Sequence, residues 1–436
     1  MPLENKSNSL RGSAGQGRSV AVVGAGVAGV MTAYAFATRG FEVSLIDALS
    51  GPAQMCSHAN AGILAVGHAK AWAGPGAINS IVKAFLGLDR SIVVGKYLDP
   101  ALWRWGAEFL RNCTQEAHST NTAALQRLSR YSCELIRAAE NEMALPRDIR
   151  RDGGLYLFQD KGQFTRYTTS ISNHGGDVVE ILECDELVNR EPGLKAMSHL
   201  LAGGVFSPTD AVGDCKLFCE RTTSYLQRQE NVRIHFNTRI DGLKIAANNV
   251  VALKTNRGDL PCSSVILATG VETGRITRAL GFVPNIYPVK GYSGTWRILD
   301  RALVPKLPYV DETELLAVAS YGDKLRVTAV AEFAGYDRAV SVQQADRLSN
   351  YVRRAFGKAV DLDSAVFWSG LRPTTPSGPP FLGKARSCEN LWLTAGHGQL
   401  GWTMALGCGE LLAQKIAGET TQLAGVSSTA PWIEPI

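Results

Sequence analysis

Three rhythms of apolar and polar positions alternate along the chain. Val20–Val23 is a short uninterrupted apolar run rich in valine, the pattern of a buried parallel strand. Glycines follow at 24, 26 and 29, then helix-forming and apolar residues over 27–39, with Gly40 as a C-terminal stop. A second strand, Glu42–Ile46, ends at Asp47. From about 101 to 144 apolar positions recur every three or four residues, and the segment 73–207 as a whole reads as mostly helical. Strands are predicted at 287–297, 314–319 and 324–332, and a helix over 341–356. Two further short strands are predicted at 263–270 and 391–394, the second leading through a glycine-rich turn into a helix from about 402. The run "GLRPTTPSGPPFLG" (370–383), with four prolines, three glycines and a single arginine, reads as an irregular, stiff turn.

Composition narrows the class. With 436 residues and 45% hydrophobic residues the chain has the length for two globular domains and the apolar content to fill them. A net charge of +5 is too mild for a dedicated nucleic-acid binder, so no nucleic-acid partner is expected, though contact with an anionic membrane surface is not opposed. No apolar run approaches the ~20 residues that span a bilayer. Residues 1–18 are polar and rich in Gly and Ser, and lack the apolar segment of a signal peptide; they read as a disordered leader with no export. The nine cysteines are scattered and form no CxxC pair, which suits reduced thiols in the cytoplasm. Cys215 and Cys219 lie four apart on a predicted helix but have no histidine or acidic partner at metal spacing, so no metal is expected.

The spacing Gly24-x-Gly26-x-x-Gly29 between a strand and a helix carries specific physics. The first glycine makes the tight turn, the second admits a pyrophosphate to the backbone, and the third lets helix and strand pack closely with the helix N-terminus facing the anion. Asp47 stands where an acid can take both ribose hydroxyls, which favours NAD or FAD over a 2′-phosphorylated cofactor. A simple NAD enzyme would continue with further βαβ units. Here a loop dense in small residues (54–77) follows instead, and the related strands return only near 263 and 391. One nucleotide-binding domain built from three distant segments is the habit of FAD proteins with an inserted second domain. The helix after 401 would then direct its positive end at the side of the flavin where charge accumulates on reduction.

Four stretches, "ANAGILAVG", "YPVKGYSGT" (287–295), "FWSGLRPTTPSG" (367–378) and "GHGQLGWTMA" (396–405), together with "LAGGVFSPTDAVGDCKLF" and "VDETELLAVASYGDKLRVTAVAEFAGYD", give the chain its kinship. In that order, from about 19 to 418, they resemble the FAD-dependent D-amino-acid dehydrogenases of the D-amino-acid oxidase and glycine oxidase superfamily. The resemblance implies a Rossmann-like α/β FAD-binding domain (19–72, 208–284 and 368–420) with an inserted α+β mixed-sheet substrate domain (73–207 and 285–367) and a C-terminal tail, 421–436. It implies non-covalent FAD, oxidative deamination of a D-amino acid, and electrons passed to a quinone or other non-oxygen acceptor.

By that resemblance Arg372 would pair with the substrate carboxylate; a guanidinium offers two parallel hydrogen bonds and keeps its charge. Tyr292 could donate to the same carboxylate, and Lys290 shares its strand face. His58 stands one residue off the position of a covalent flavin attachment, so no covalent bond is expected, but it is a candidate catalytic residue lining the site. Arg326 lies on a predicted strand and either assists carboxylate binding or, the favoured reading, is a solvated strand residue. His397 is expected at the flavin, whereas His68, His118, His174, His199 and His235 fall outside every motif. The candidate cofactor contacts are Gly24, Gly26, Gly29 and Asp47; Asn60, Ala61 and Gly62; Ile240, Thr269 and Gly270; and His397, Gly398, Gly401, Trp402 and Thr403. No acidic residue in the motifs would recognise a cationic side chain, so a small, apolar or cyclic substrate is expected, such as D-alanine, D-proline or hydroxy-D-proline. Gly294, where relatives tend to carry a larger residue, suggests an altered pocket volume.

The stretch 76–106 mixes Ile, Val, Phe, Leu and Trp with Lys83, Arg90, Lys96 and Arg104. It reads either as a packed helical pair with solvated charges or as a segment lying on the cytoplasmic face of the inner membrane. Alternatives of other classes remain: an oxygen-using oxidase of glycine, sarcosine or another N-methyl amine, a flavin-binding sensor without turnover, and an NAD enzyme. Oligomeric state is not legible.

Overall fold

The computed structural model describes residues 15–85, 91–174, 179–421 and 423. Most of the predicted leader, Arg90 and nearly all of the C-terminal tail therefore lie outside the described residues. Residues 15–18, read as part of the leader, form a turn instead. The Gly15 N–H donates to Arg39 O, and there is no room for a Cβ at Gly15 against Phe41.

Two sheets organise the molecule. The first has six strands in the order Phe381–Lys384, Leu391–Ala395, Ser264–Leu267, Ser19–Val23, Glu42–Ile46 and Val232–His235, all parallel but the first. Strands buried on both faces need continuous apolar sequence, which is why 20–23 and 264–267 carry no polar alternation. One face is covered by helices Val27–Ala37, Cys215–Leu226 and Gly401–Ala417, the other by an antiparallel three-stranded sheet (240–246, 249–255, 258–261).

The second sheet is mixed and nine-stranded. It runs Val360–Thr374, Tyr287–Ile298, Lys324–Phe333, Leu316–Tyr321, Tyr309–Asp311, Gly154–Phe158, Gly203–Ser207 and Glu180–Leu182, with Ile92–Val94 pairing alongside Lys324–Phe333. Helix Val342–Phe356 packs its apolar face on this sheet through Leu348, Tyr351 and Val352. Among its described residues the segment 73–207 holds five α-helices and the 3-10 helix Pro192–Leu200 but also supplies four of these strands, including the fully buried Gly154–Phe158. Its longest helix, Gln115–Glu142, turns Leu125, Leu128 and Ile136 into the core beneath the first sheet, against helix Gly401–Ala417.

The irregular turn predicted around Arg372 is overturned as well. Arg372 does not sit in an irregular turn: it lies on the 15-residue strand Val360–Thr374, paired with Val289. That strand is the outermost of its sheet, where a proline costs least, and Pro373 faces Pro288 across the ladder. The proline-rich turn starts only at 375. The strand end is tied down on two sides: the Trp105 indole N–H donates to Thr374 O at 2.8 Å, and Thr374 bridges His397 at the mouth of the C-terminal helix.

Candidate active site

A cavity of about 1560 Å³ runs between the two sheets and is larger than a drug-sized ligand needs. One end is built by the first βαβ unit. Gly24 adopts φ +102°, closed to residues with a side chain, and a Cβ on Gly29 would stand 1.7 Å from Gly24 O, so turn and helix touch backbone to backbone. Helix Val27–Ala37 has no acid in its first turn and a glycine cap without a side chain; the Val27 N–H donates to Ser57 Oγ at 3.1 Å. Its opening amides therefore face the cavity with a positive partial charge. Asp47 borders the same end. Its Oδ2 accepts from the Ala25 N–H at 2.6 Å and its Oδ1 from Leu49 N–H at 2.8 Å, while burial pushes its pKa up.

The middle of the cavity is walled by Asn60 and Ala61 on one side, Ile240, Thr269 and Gly270 on another, and His397, Gly398, Gly401 and Trp402 at the C-terminal helix. His397 is fully enclosed, 3.2 Å from Thr394 Oγ1, and burial drives its pKa down to about 4, so the ring is neutral. The Trp402 indole N–H is buried without an acceptor among the described residues. Such a donor on the cavity wall fits a group that brings an acceptor. An acid placed for a ribose, a turn closed to side chains at Gly24 and Gly29, and helix amides for a pyrophosphate fit the rest of FAD. Three predicted contacts stand off the wall. Thr403 Oγ1 accepts from Ala65 N–H at 3.2 Å, Gly62 packs on Tyr321 and Gly213, and Gly29 serves helix packing.

The other end belongs to the second sheet. Arg372 points along the sheet surface over Gly291, where even a Cβ would stand 2.4 Å from the guanidinium, and its Nη1 donates to Val330 O at 2.8 Å. Val330 is a β-branched residue at φ +73°, at an irregularity in the pairing with the 287–298 strand. That strained backbone presents a carbonyl to the arginine. Arg372 forms no ion pair among the described residues. Nearby Cys56 cannot supply an anion, because burial pushes its thiol up to about 11. A cation held in a cavity by one neutral acceptor is set up to receive an anionic ligand.

The structure corrects several side-chain expectations. Tyr292 borders the cavity, but its hydroxyl donates to Glu332. Lys290, on the same face, is 2% exposed and pairs with Asp337 at 2.6 Å and Glu332 at 3.6 Å. His58 does not border the cavity; its ring lies 5.8 Å from that of Trp368. Arg326 is buried rather than solvated, donating to Thr295 Oγ1 and Asn60 O and covering the Tyr321 ring. Gly294 leaves room for the indole of Trp296 within the core and adds nothing to the cavity. His68, assigned no chemistry by its sequence, borders the cavity together with Lys70 and Glu312. Glu312 lies in the stretch 310–337 that carries the resemblance, but nothing there gives it a role; strand pairing and the loop after 64 bring the three together.

These features define a dinucleotide-binding enzyme whose candidate cofactor and substrate ends meet in one cavity. A family model described as FAD dependent oxidoreductase matches residues 19–415, and the chain belongs to that family and uses FAD. It is 35% identical over 407 residues to D-amino acid dehydrogenase 2 of Mesorhizobium japonicum, covering 93% of this chain and 97% of that protein. It is 34% identical over 403 residues to a D-amino acid dehydrogenase of Vibrio vulnificus, covering 92% and 96%. Among solved structures, glycine oxidase from Bacillus cereus superposes with a TM-score of 0.71 at 19% identity, covering 93% of this chain and 96% of that one. L-proline dehydrogenase from P. horikoshii superposes with a TM-score of 0.67 at 18% identity, covering 96% and 98%. The fold is shared with both.

Proposed function

We propose that the chain oxidises a D-amino acid at Cα and passes the electrons to a quinone or other non-oxygen acceptor. The observation that carries this reading is Arg372, a cavity-facing guanidinium without a carboxylate partner among the described residues, in a chain whose relatives at 34–35% identity are named D-amino acid dehydrogenases. FAD, when bound, supplies the two-electron acceptor. In the substrate, the Cα–H bond breaks with its electron pair leaving as hydride, and the amine nitrogen loses a proton. The Cα–N bond becomes double, and water then releases ammonia and the 2-oxo acid. Arg372 fixes the carboxylate and so the orientation of Cα. The ring of His397, kept neutral by burial, and the rings of Trp368 and Trp402 line the same cavity and add no charge beside Cα. Asp47 and the amides after Gly26 hold the ribose and pyrophosphate.

An exposed apolar surface beside the cavity supports a lipid-soluble acceptor. Leu98 is 94% exposed and Trp103 56%, with Ile78, Val82 and Leu110 also exposed, and Lys83, Lys96, Arg104 and Arg111 stand among them. Trp103 and Leu110 border the cavity as well. No helix of the described residues is long and apolar enough to cross a membrane, so the contact would be peripheral. The test is turnover of D-alanine with a soluble quinone and with oxygen, measuring ammonia and 2-oxo acid. Quinone-dependent product formation is expected. Equal turnover with oxygen as sole acceptor would instead favour an oxidase.

A further inference from the structure

The end of the cavity away from the dinucleotide turn holds polar groups that the reaction does not use. His68 Nε2 lies 3.5 Å from Glu312 Oε1, and the His68 ring stacks on Tyr156 with centroids 4.8 Å apart. Lys70 donates to the Tyr167 hydroxyl at 3.1 Å and lies within electrostatic reach of Glu312. Tyr156 in turn donates to the buried Asp210. Neither His68 Nδ1 nor Glu312 Oε1 finds a hydrogen-bond partner among the described residues, although both atoms are buried. Unpaired buried polar atoms are costly, and a cluster of them on a cavity wall points to a ligand that completes it.

Strand pairing gives the distance from Arg372. The guanidinium is anchored at Val330 on the 324–333 strand; Ala329 pairs with Leu316, and Leu316 with Asp311, the residue before Glu312. Two strand intervals at roughly 4.8 Å each put the Glu312 backbone about 10 Å across the sheet from the Val330 backbone that anchors the guanidinium. Two hydrogen bonds of about 2.8 Å with a four-carbon acid between them span such an interval. The charges there offset one another: a Glu312 carboxylate, the Lys70 ammonium and a His68 that burial keeps neutral. A cationic side chain would meet Lys70, and a purely apolar one would leave His68 and Glu312 unpaired.

Resting on the proposed D-amino-acid reading, we infer that His68 and Glu312 form a specificity subsite for a side chain ending in a neutral hydrogen-bonding group, in particular a hydroxyl on the third carbon from the carboxylate carbon. A site built to pair a hydroxyl discriminates strongly against the methyl isostere.

The test compares D-homoserine with its methyl isostere D-norvaline by kcat/KM in the FAD-loaded enzyme, with D-alanine as a substrate too short to reach Glu312. It also compares the Kd of 4-hydroxybutyrate and pentanoate, which lack the amine and cannot be oxidised, from their perturbation of the flavin spectrum. Both ratios should favour the hydroxylated ligand by about 10-fold or more in the wild type and fall towards one in Glu312→Leu. Glu312→Gln, which keeps an acceptor, should retain part of the preference and is the variant read if Glu312→Leu fails to hold flavin. Wild-type ratios near one, or ratios unmoved by these substitutions while D-alanine still reduces the flavin, would overturn the subsite and leave the Arg372 reading standing. Failure of every D-amino acid to reduce the flavin would remove both.

Discussion

Replacing Arg372 separates a carboxylate clamp from a structural arginine, because the two roles predict opposite costs. In the structure its polar contact within the protein is one hydrogen bond to Val330 O, and burial pulls its pKa down from the ordinary arginine value. A structural arginine would be expected to satisfy several loop carbonyls or a carboxylate. Arg372→Met keeps most of the volume over Gly291 and removes a desolvated charge that has no counter-ion among the described residues. Folding stability should therefore fall by no more than about 1 kcal/mol, the worth of the one hydrogen bond, and could rise. Binding should suffer far more. Removing one partner of a buried, hydrogen-bonded charge pair costs about 2–5 kcal/mol, or roughly 30- to several thousand-fold in affinity. Arg372→Lys keeps the charge but loses the two-pronged geometry, and should cost about 10- to 100-fold. The assay is Kd for propionate from the flavin spectrum, kcat/KM for D-alanine, and denaturant unfolding of the same preparations. A methionine variant that binds propionate within about twofold of wild type, or that unfolds about 3 kcal/mol more easily, would refute the clamp.

Three further outcomes follow from the cofactor end. Gly29→Ala puts a Cβ 1.7 Å from Gly24 O, which backbone cannot relieve cheaply, so the purified protein should contain little flavin. Asp47→Asn keeps the shape but weakens charge-assisted bonding; FAD affinity, measured by reconstitution of the apoprotein, should drop about 10-fold or more. His397, held at about 4 by burial against an ordinary value near ~6.5, is neutral in the fold. Its depressed pKa means the unfolded chain binds the extra proton first. The neutral ring's contribution is thus complete above about pH 6.5 and is lost as pH falls towards 4, a loss of about 3 kcal/mol across that window. His397→Gln should flatten the acid side of the stability profile by about that much, and an unchanged profile would contradict the burial argument.

The dinucleotide end was readable because its signal is contiguous. Val20 to Asp47 specify strand, turn, helix, strand and acid within one βαβ unit, and the structure places the second strand at Glu42–Ile46 as expected. The substrate end is assembled from chain segments far apart, and there sequence reasoning fails for identifiable reasons. Proline and glycine around Arg372 resemble a turn, but an edge strand tolerates both, so the strand extends to Thr374. Arg326 looks like an exposed strand residue because charge usually marks solvent; its burial depends on Thr295 and the Asn60 carbonyl, neither visible from local pattern. Gly294 suggested an altered pocket volume, yet Trp296, two residues along the same strand, folds back to fill the space. His68 and Glu312 are 244 positions apart and meet only through the packing of the 63–72 loop beneath the sheet. Long-range pairing of that kind leaves no periodic trace.

The central claim is that a D-amino acid, anchored at Arg372, gives up its Cα hydride inside this cavity. The most direct test is the visible spectrum of the purified, FAD-loaded protein recorded without oxygen before and after D-alanine, and separately before and after L-alanine. The flavin absorbance should bleach with the D-form and persist with the L-form, because one carboxylate anchor and one enclosed side-chain space fix which face of Cα carries the hydrogen. Bleaching by both enantiomers at similar rates, or by neither while glycine or an N-methyl amine bleaches it, would contradict the account.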